Sequence, residues 1–164
     1  MLARVVGLGL KLQENNMKLQ DQLIRDEGIV LHAYQDSLGY WTIGVGQLID
    51  KRRGGGIALE EAMYLLENKI RKHTKEVIDN LPWADPLIIG AARFGALINM
   101  SFQLGTAGLM KFPKMLAALK AKDYEAVYKH AMDSNSNVIG DEWPEQTPAR
   151  AQRVALQLKT NRWV

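Results

Sequence analysis

Carboxylates are the chemical equipment of this chain. It has no cysteine, so thiol nucleophiles, disulfides and cysteine-ligated zinc are excluded. Its three histidines, His32, His73 and His130, lie far apart and lack the spacing of a His-Glu-x-x-His zinc site. No Gly-x-Ser-x-Gly elbow is present for serine hydrolase chemistry. Two acids stand out by position. Glu27 closes an amphipathic stretch just before Gly28, where unpaired helix-end carbonyls put partial negative charge beside its carboxylate and favour the protonated form. Asp36 falls in the turn-like Asp36-Ser37-Leu38-Gly39, a polar rim where ionisation is cheap. An acid and a carboxylate held in different states by their surroundings are what cleavage of a glycosidic bond needs. Thr42, near-opposite Asp36 across the turn, has a hydroxyl that reaches the same space. Taken alone, the three also have ordinary explanations, as a helix-end charge, a turn residue and a strand former.

The elements that must position them can be read from periodicity. Leu12, Leu19 and Leu23, with Met17 and Ile24, recur at helical spacing over residues 12–27, and Gly28 is a natural stop. Ile29–Gln35 reads as a strand, and Tyr40–Val45 alternates with Trp41, Ile43 and Val45 on one side, so the two make a small hairpin. Lys51-Arg52-Arg53-Gly54-Gly55-Gly56 is a loop without the spacing of a phosphate-binding motif. Residues 58–80 form a long helix with a narrow apolar stripe (Leu59, Met63, Leu66, Ile70, Val77), the pattern of a helix crossing solvent between two lobes. Its start is weakly capped, because Ala58 stands where Ser or Thr would accept backbone hydrogen bonds.

Asp85 as N-cap and Pro86 at the first helical position open the next helix, and the nearly unbroken apolar run Leu87–Phe102 predicts a segment buried all round. Shorter helices follow over Gly108–Leu119 and Asp123–Met132, then a loop at Ser134–Asn137 and a last helix from Thr147-Pro148 through Lys159. The expected fold class is α+β, a small sheet lobe joined by a long helix to a larger all-helical lobe. A length of 164 residues fits one domain. Its expected parts are an N-terminal extension (1–15), a small lobe (16–57), the connecting helix (58–80) and the helical lobe (81–164).

The charge pattern has two readings, solvated helix faces or a positive surface for an anionic polymer. The net charge is 21 − 18 = +3, and the distribution is blocked. Arg93, Lys111, Lys114, Lys120 and Lys122 follow Pro86 with no acid among them, and Arg150, Arg153, Lys159 and Arg162 do the same after Gln146. The stretch between, Asp123–Glu145, carries six acids and only Lys129. Neither a zinc finger nor an aromatic-interleaved basic stretch argues for nucleic acid. Val5–Leu10, bracketed by Arg4 and Lys11, is too short to span a membrane and lacks the form of a secretory signal, so residues 1–12 read either as a frayed extension or first helical turns, or as a short amphipathic segment that touches an anionic outer-membrane surface.

Glu27, eight residues, Asp36, five residues, Thr42, set in RDEGIVLHAYQDSLGYWTIGVGQ, resembles the active-site segment of the phage-type lysozymes, the endolysins of glycoside hydrolase family twenty-four. The resemblance continues, in the family's order, through ALINMSFQLGTAG (Ala96–Gly108) and WPEQTPARAQRV (Trp143–Val154). It implies a lysozyme-like fold with the active-site cleft between the lobes, and hydrolysis of the β-1,4 bond between N-acetylmuramic acid and N-acetylglucosamine in peptidoglycan. It further implies Glu27 as general acid, Asp36 and Thr42 as the pair holding the attacking water, and Gly46, Leu48, Phe102 and Gln103 as saccharide-binding positions. Arg150 matches an arginine near the catalytic glutamate. No metal or organic cofactor is implied. The expected partner is bacterial peptidoglycan, engaged by a monomer that accumulates in the host cytoplasm until a separate pore protein releases it.

Departures from the family pattern are local. Gln47 replaces a histidine, which removes a titratable partner after the hairpin, and Ala58-x-x-Glu61 replaces Thr-x-x-Glu at a helix start. The positions near Met115 and His130 differ, and Asn135–Asp141 is a longer connection. Two alternatives keep the fold but change the function: a catalytically silent module that binds cell wall or membrane, and a related transglycosylase.

Overall fold

The computed structural model describes residues 19–52, 54–133 and 143–164. The expectations for residues 1–12 and for the Asn135–Asp141 connection lie outside the described residues. The chain divides after Ala62 into two compact units.

In the first unit, residues 19–27 are helical (α1) and lead into β1 (Val30–Gln35), β2 (Trp41–Gly44) and β3 (Gln47–Leu48). The three strands form one antiparallel sheet in the order β1-β2-β3, with Tyr34 opposite Thr42 and Thr42 opposite Leu48. The expected hairpin is therefore a three-stranded ribbon. Gly44-Val45-Gly46 turns the chain tightly enough for Ile43 to pair with Gln47, a short loop of the kind that ends on glycine. Two residues of strand are too few for alternation to reveal, which is why β3 has no signature in the sequence.

α2 (Leu59–Asn80) begins in the first unit and continues into the second. Its N-terminus retains half of a capping box: Glu61 reaches back to accept from the Ala58 N–H at 2.7 Å. The missing hydroxyl at residue 58 removes the other half.

The second unit continues with α3 (Pro86–Ile89), α4 (Ala91–Leu109), α5 (Pro113–Lys120), α6 (Tyr124–Met132), α7 (Trp143–Gln146) and α8 (Pro148–Thr160). Asp85 caps α3 as expected, its side chain accepting from Leu87 N–H at 2.7 Å. The apolar run Leu87–Phe102, however, is not one buried helix. The chain breaks at Gly90, whose φ of 99° is open to glycine and strained for other residues. A Cβ there would also lie 2.2 Å from the Asn161 side chain. Leu87, ahead of the break, is 94% exposed. Beyond it, Ala92, Phe94, Ala96, Leu97 and Met100 are buried, and α4 kinks again at Gly105. The core closes around them with Val77, Leu109, Phe112, Met115, Leu119, Val127, Trp143 and Leu158. Phe112 and Trp143 meet edge to face, their centroids 5.6 Å apart. Each fully buried side chain of this size contributes about 1.5–3 kcal/mol.

Two polar side chains lock α4 to α8. Gln157 donates to the Ala92 carbonyl at 2.7 Å inside the core. Arg93 donates to the carbonyls of Ile89 (3.0 Å), Leu158 (2.7 Å) and Lys159 (2.9 Å), while its guanidinium lies 3.5 Å from the Tyr124 ring centroid. It thus satisfies helix-end carbonyls that α8 cannot pair internally. Lysine has one point charge where this site uses a planar fork. Arg93→Lys is expected to lower unfolding stability by roughly 1–3 kcal/mol, read from the midpoint of urea denaturation.

Candidate active site

Glu27 is the last helical residue of α1 and is exposed. The helix stops there because Gly28 takes φ 76° and returns its N–H to the Ile24 carbonyl at 2.9 Å, the left-handed exit that glycine provides at low cost. Two residues later β1 begins, so the carboxylate stands at the junction of helix and ribbon.

Asp36 sits at the end of β1 and folds its side chain onto its own turn. Its Oδ1 accepts from the N–H groups of Leu38 (2.9 Å) and Tyr40 (2.8 Å), an Asx-type turn. Its own N–H donates to the Tyr40 carbonyl at 2.9 Å. Thr42 is 4% exposed, and its hydroxyl donates to the same Tyr40 carbonyl at 3.2 Å. Across the ribbon Thr42 pairs with Tyr34, not with Asp36. What joins Asp36 and Thr42 is the backbone of Tyr40, a residue that periodicity and spacing do not single out. An Asp at the first position of a four-residue turn is the signal that could have found it.

Gly46 is exposed at the β2–β3 turn, and Leu48 is half-buried in β3 beside Thr42. Gln47 donates to the Gly56 carbonyl at 2.7 Å and to the Leu48 carbonyl at 3.2 Å, so a neutral amide ties the following loop to the ribbon. Glu27, Asp36, Thr42, Gly46 and Leu48 all belong to the first unit.

Phe102 and Gln103 belong to the second unit, on α4. The Gln103 amide is engaged at both ends: Oε1 accepts from Trp143 Nε1 at 2.9 Å, and Nε2 donates to the Thr147 hydroxyl at 3.3 Å. Arg150 donates to Asn99 Oδ1 from Nη2 at 2.8 Å. With Phe102, Asn99 and Trp163, it lines a mostly apolar cavity of about 380 Å³ that has no carboxylate in its wall.

The Phe102 ring packs on His73, centroids 5.5 Å apart. His73 Nδ1 lies 3.0 Å from the buried Ser101 hydroxyl and 3.3 Å from Glu76 Oε2. Ser101 meets the Thr106 hydroxyl at 2.9 Å, and Thr106 donates to Glu76. A serine, a histidine and a glutamate thus meet, but one ring nitrogen faces both partners, whereas a nucleophilic triad needs the two nitrogens on opposite sides. The cluster fastens α2 to the kinked end of α4. Ser101 lies 28 residues from His73, a separation that no local pattern encodes.

Among the described residues, no three of His, Asp or Glu group closely enough to hold a metal ion, and no helix is long and apolar enough to cross a membrane.

Comparison with known proteins identifies the family. The family model for phage lysozyme matches residues 25–153. The pre-baseplate central spike protein Gp5 of Enterobacteria phage T4 is 33% identical over 169 aligned positions, which cover 88% of this chain and 28% of the spike protein. Two Dictyostelium discoideum proteins, probable T4-type lysozymes 1 and 2, are each 28% identical over 87% of this chain and 94% of their own length.

The Thr106 hydroxyl, more than any other group, holds the Glu76 carboxyl below the usual carboxylate range; Lys72 and His73 add to it, and partial burial opposes it. A depressed carboxyl stabilises the fold above its unfolded value and loses that contribution as pH falls through and below about 4. The melting temperature is therefore expected to drop between about pH 5 and pH 3, and to drop less in Glu76→Gln, as measured by differential scanning calorimetry.

Proposed function

Because this chain is a glycoside hydrolase domain belonging to the phage lysozyme family, we propose that it cleaves the β-1,4 bond between N-acetylmuramic acid and N-acetylglucosamine in peptidoglycan, as an endolysin that opens the host wall. The observation that carries this reading is the carboxylate–hydroxyl pair of Asp36 and Thr42, both bonded to the backbone of Tyr40 in a ribbon that follows directly from the helix-terminal Glu27.

In the proposed reaction Glu27 gives its proton to the glycosidic oxygen as the bond from that oxygen to the anomeric carbon breaks. A water held by Asp36 and Thr42 attacks the anomeric carbon from the opposite face, and Asp36 takes the water's proton. The exposed Glu27 suits a proton donor that must meet a polymer from solvent, and the two N–H groups on Asp36 Oδ1 hold that carboxylate in one orientation. Inversion by this route needs the carboxyls roughly 6.5–9.5 Å apart, with the water between. Gly46, Leu48, Phe102 and Gln103 are assigned to saccharide binding. The aromatic ring of Phe102 offers a face to a sugar, while Gln103, its amide shared with Trp143 and Thr147, offers a position more than a free hydrogen-bonding group. The basic blocks favour an anionic wall.

Glu27→Gln is expected to lower the release of reducing ends from purified peptidoglycan by roughly 10²–10⁴-fold, with an unchanged melting temperature. Mass spectrometry of the products should find reducing muramic acid ends. A 1,6-anhydro ring there would assign a transglycosylase, and full activity of Glu27→Gln would overturn the proposed catalytic roles.

A further inference from the structure

We propose that Arg52, braced by Asp50, is a positioning residue for the Asp36–Thr42 pair and acts through the ring of Tyr40. The inference rests on the hydrolytic reading above. Both groups of the pair depend on Tyr40: its N–H is donated to Asp36, and its carbonyl accepts from the Asp36 N–H and the Thr42 hydroxyl. The Asp36 backbone and the Thr42 hydroxyl share the Tyr40 carbonyl, and the Asp36 carboxylate takes the Tyr40 N–H on the other side of the same Cα, so a displacement of this residue disturbs both groups. The Tyr40 side chain is what the rest of the unit can grip, and the Arg52 guanidinium lies 3.6 Å from its ring centroid.

Arg52 is itself fixed. Its Nε and Nη2 donate to the two carboxylate oxygens of Asp50, each at 2.8 Å, and its backbone N–H donates to Asp50 Oδ1 at 3.1 Å. The two-pronged geometry sets the plane of the guanidinium as well as its place, which a lysine would not do. The Asp50 carboxyl is held down to about 2, first by the side-chain hydrogen bonds from Arg52, so the pair stays ionised at working pH. The loop that carries it is tied to the ribbon at both ends. Ile49 N–H donates to the Trp41 carbonyl at 2.9 Å, Gly56 N–H to the Leu48 carbonyl at 3.0 Å, and Gln47 donates to the Gly56 carbonyl. The loop after β3 thus carries a planar cation back onto the turn that holds Asp36. Asp50 occupies two of the guanidinium's five N–H donors and the Tyr40 ring lies against the guanidinium itself, which argues for bracing over substrate binding.

The test compares steady-state kinetics of Arg52→Ala, Tyr40→Leu and the double variant on soluble peptidoglycan fragments, with Lys51→Ala as a control that removes the same charge from the same loop. Positioning predicts that kcat falls about two- to fivefold in each single variant, the size of an exposed cation–π contact. KM and melting temperature should stay unchanged, and the double variant should fall no further than the singles. Lys51→Ala should keep its kcat. Wild-type kcat in Arg52→Ala, a rise in KM alone, losses that multiply in the double variant, or an equal loss in Lys51→Ala would each overturn the inference. Glu27→Gln, assayed alongside, separates the two claims. Activity retained there defeats the hydrolytic assignment, whereas activity lost there with Arg52→Ala at wild-type kcat defeats only the positioning.

Discussion

A carboxylate and a hydroxyl that are six positions apart in the chain meet on the backbone of one residue, Tyr40, the first at its N–H and the second at its carbonyl, and the candidate active site hangs on it. A short ribbon has few backbone groups to spare, and each N–H or carbonyl left without a partner costs about as much as a lost hydrogen bond. The turn answers that demand by letting Asp36 accept what a longer hairpin would pair between strands. The same Asp36 side chain that closes the turn by accepting from two N–H groups is thus the one proposed to act.

The second unit solves its problem differently. Its core is apolar and continuous from Val77 to Leu158, but its helices are short and broken at Gly90 and Gly105. Each break frees backbone groups and each helix end leaves orphan carbonyls, and polar side chains enter the interior to meet them. Arg93 serves three carbonyls, Gln157 serves Ala92, and Gln103 bridges Trp143 and Thr147. The His73, Ser101, Thr106 and Glu76 cluster belongs to the same set, since it anchors the segment of α4 just before and after its kink. Phe102, assigned to the saccharide, stacks on a member of that cluster, so its ring is placed by polar contacts as well as by packing.

Two departures from the family pattern are absorbed by neutral or partial substitutes. Gln47 keeps a hydrogen bond from the ribbon to the Gly56 carbonyl without a titratable ring. Glu61 keeps its half of the cap at the start of α2 with Ala58 in place of a hydroxyl residue. In both cases a side chain still meets a backbone group, Gln47 the Gly56 carbonyl and Glu61 the Ala58 N–H, although the hydroxyl half of the cap is lost.

Periodicity alone determined the α+β class, the long α2, the Asp85-Pro86 start and the helix from Pro148, because a helix repeat and a capping residue are local properties. The spacing of Glu27, Asp36 and Thr42 singled out the groups proposed to act only through its resemblance to the family's segment, although the helix stop at Gly28 and the Asx turn at Asp36 are themselves local. Tertiary structure decided the rest. Gly90 ends a helix within an apolar run because the Asn161 side chain occupies the space beside it, and Asn161 arrives from the far end of the chain. β3 exists because it pairs with β2, not because two residues prefer a strand. Thr42 joins Asp36 through Tyr40 rather than across the ribbon because register, which side-chain type does not reveal, sets Thr42 opposite Tyr34. His73 acquires partners from α4 because hydrogen bonds between helices form where packing brings donors and acceptors together. Contacts made by chain neighbours are written in the sequence; those made by distant residues wait on the fold.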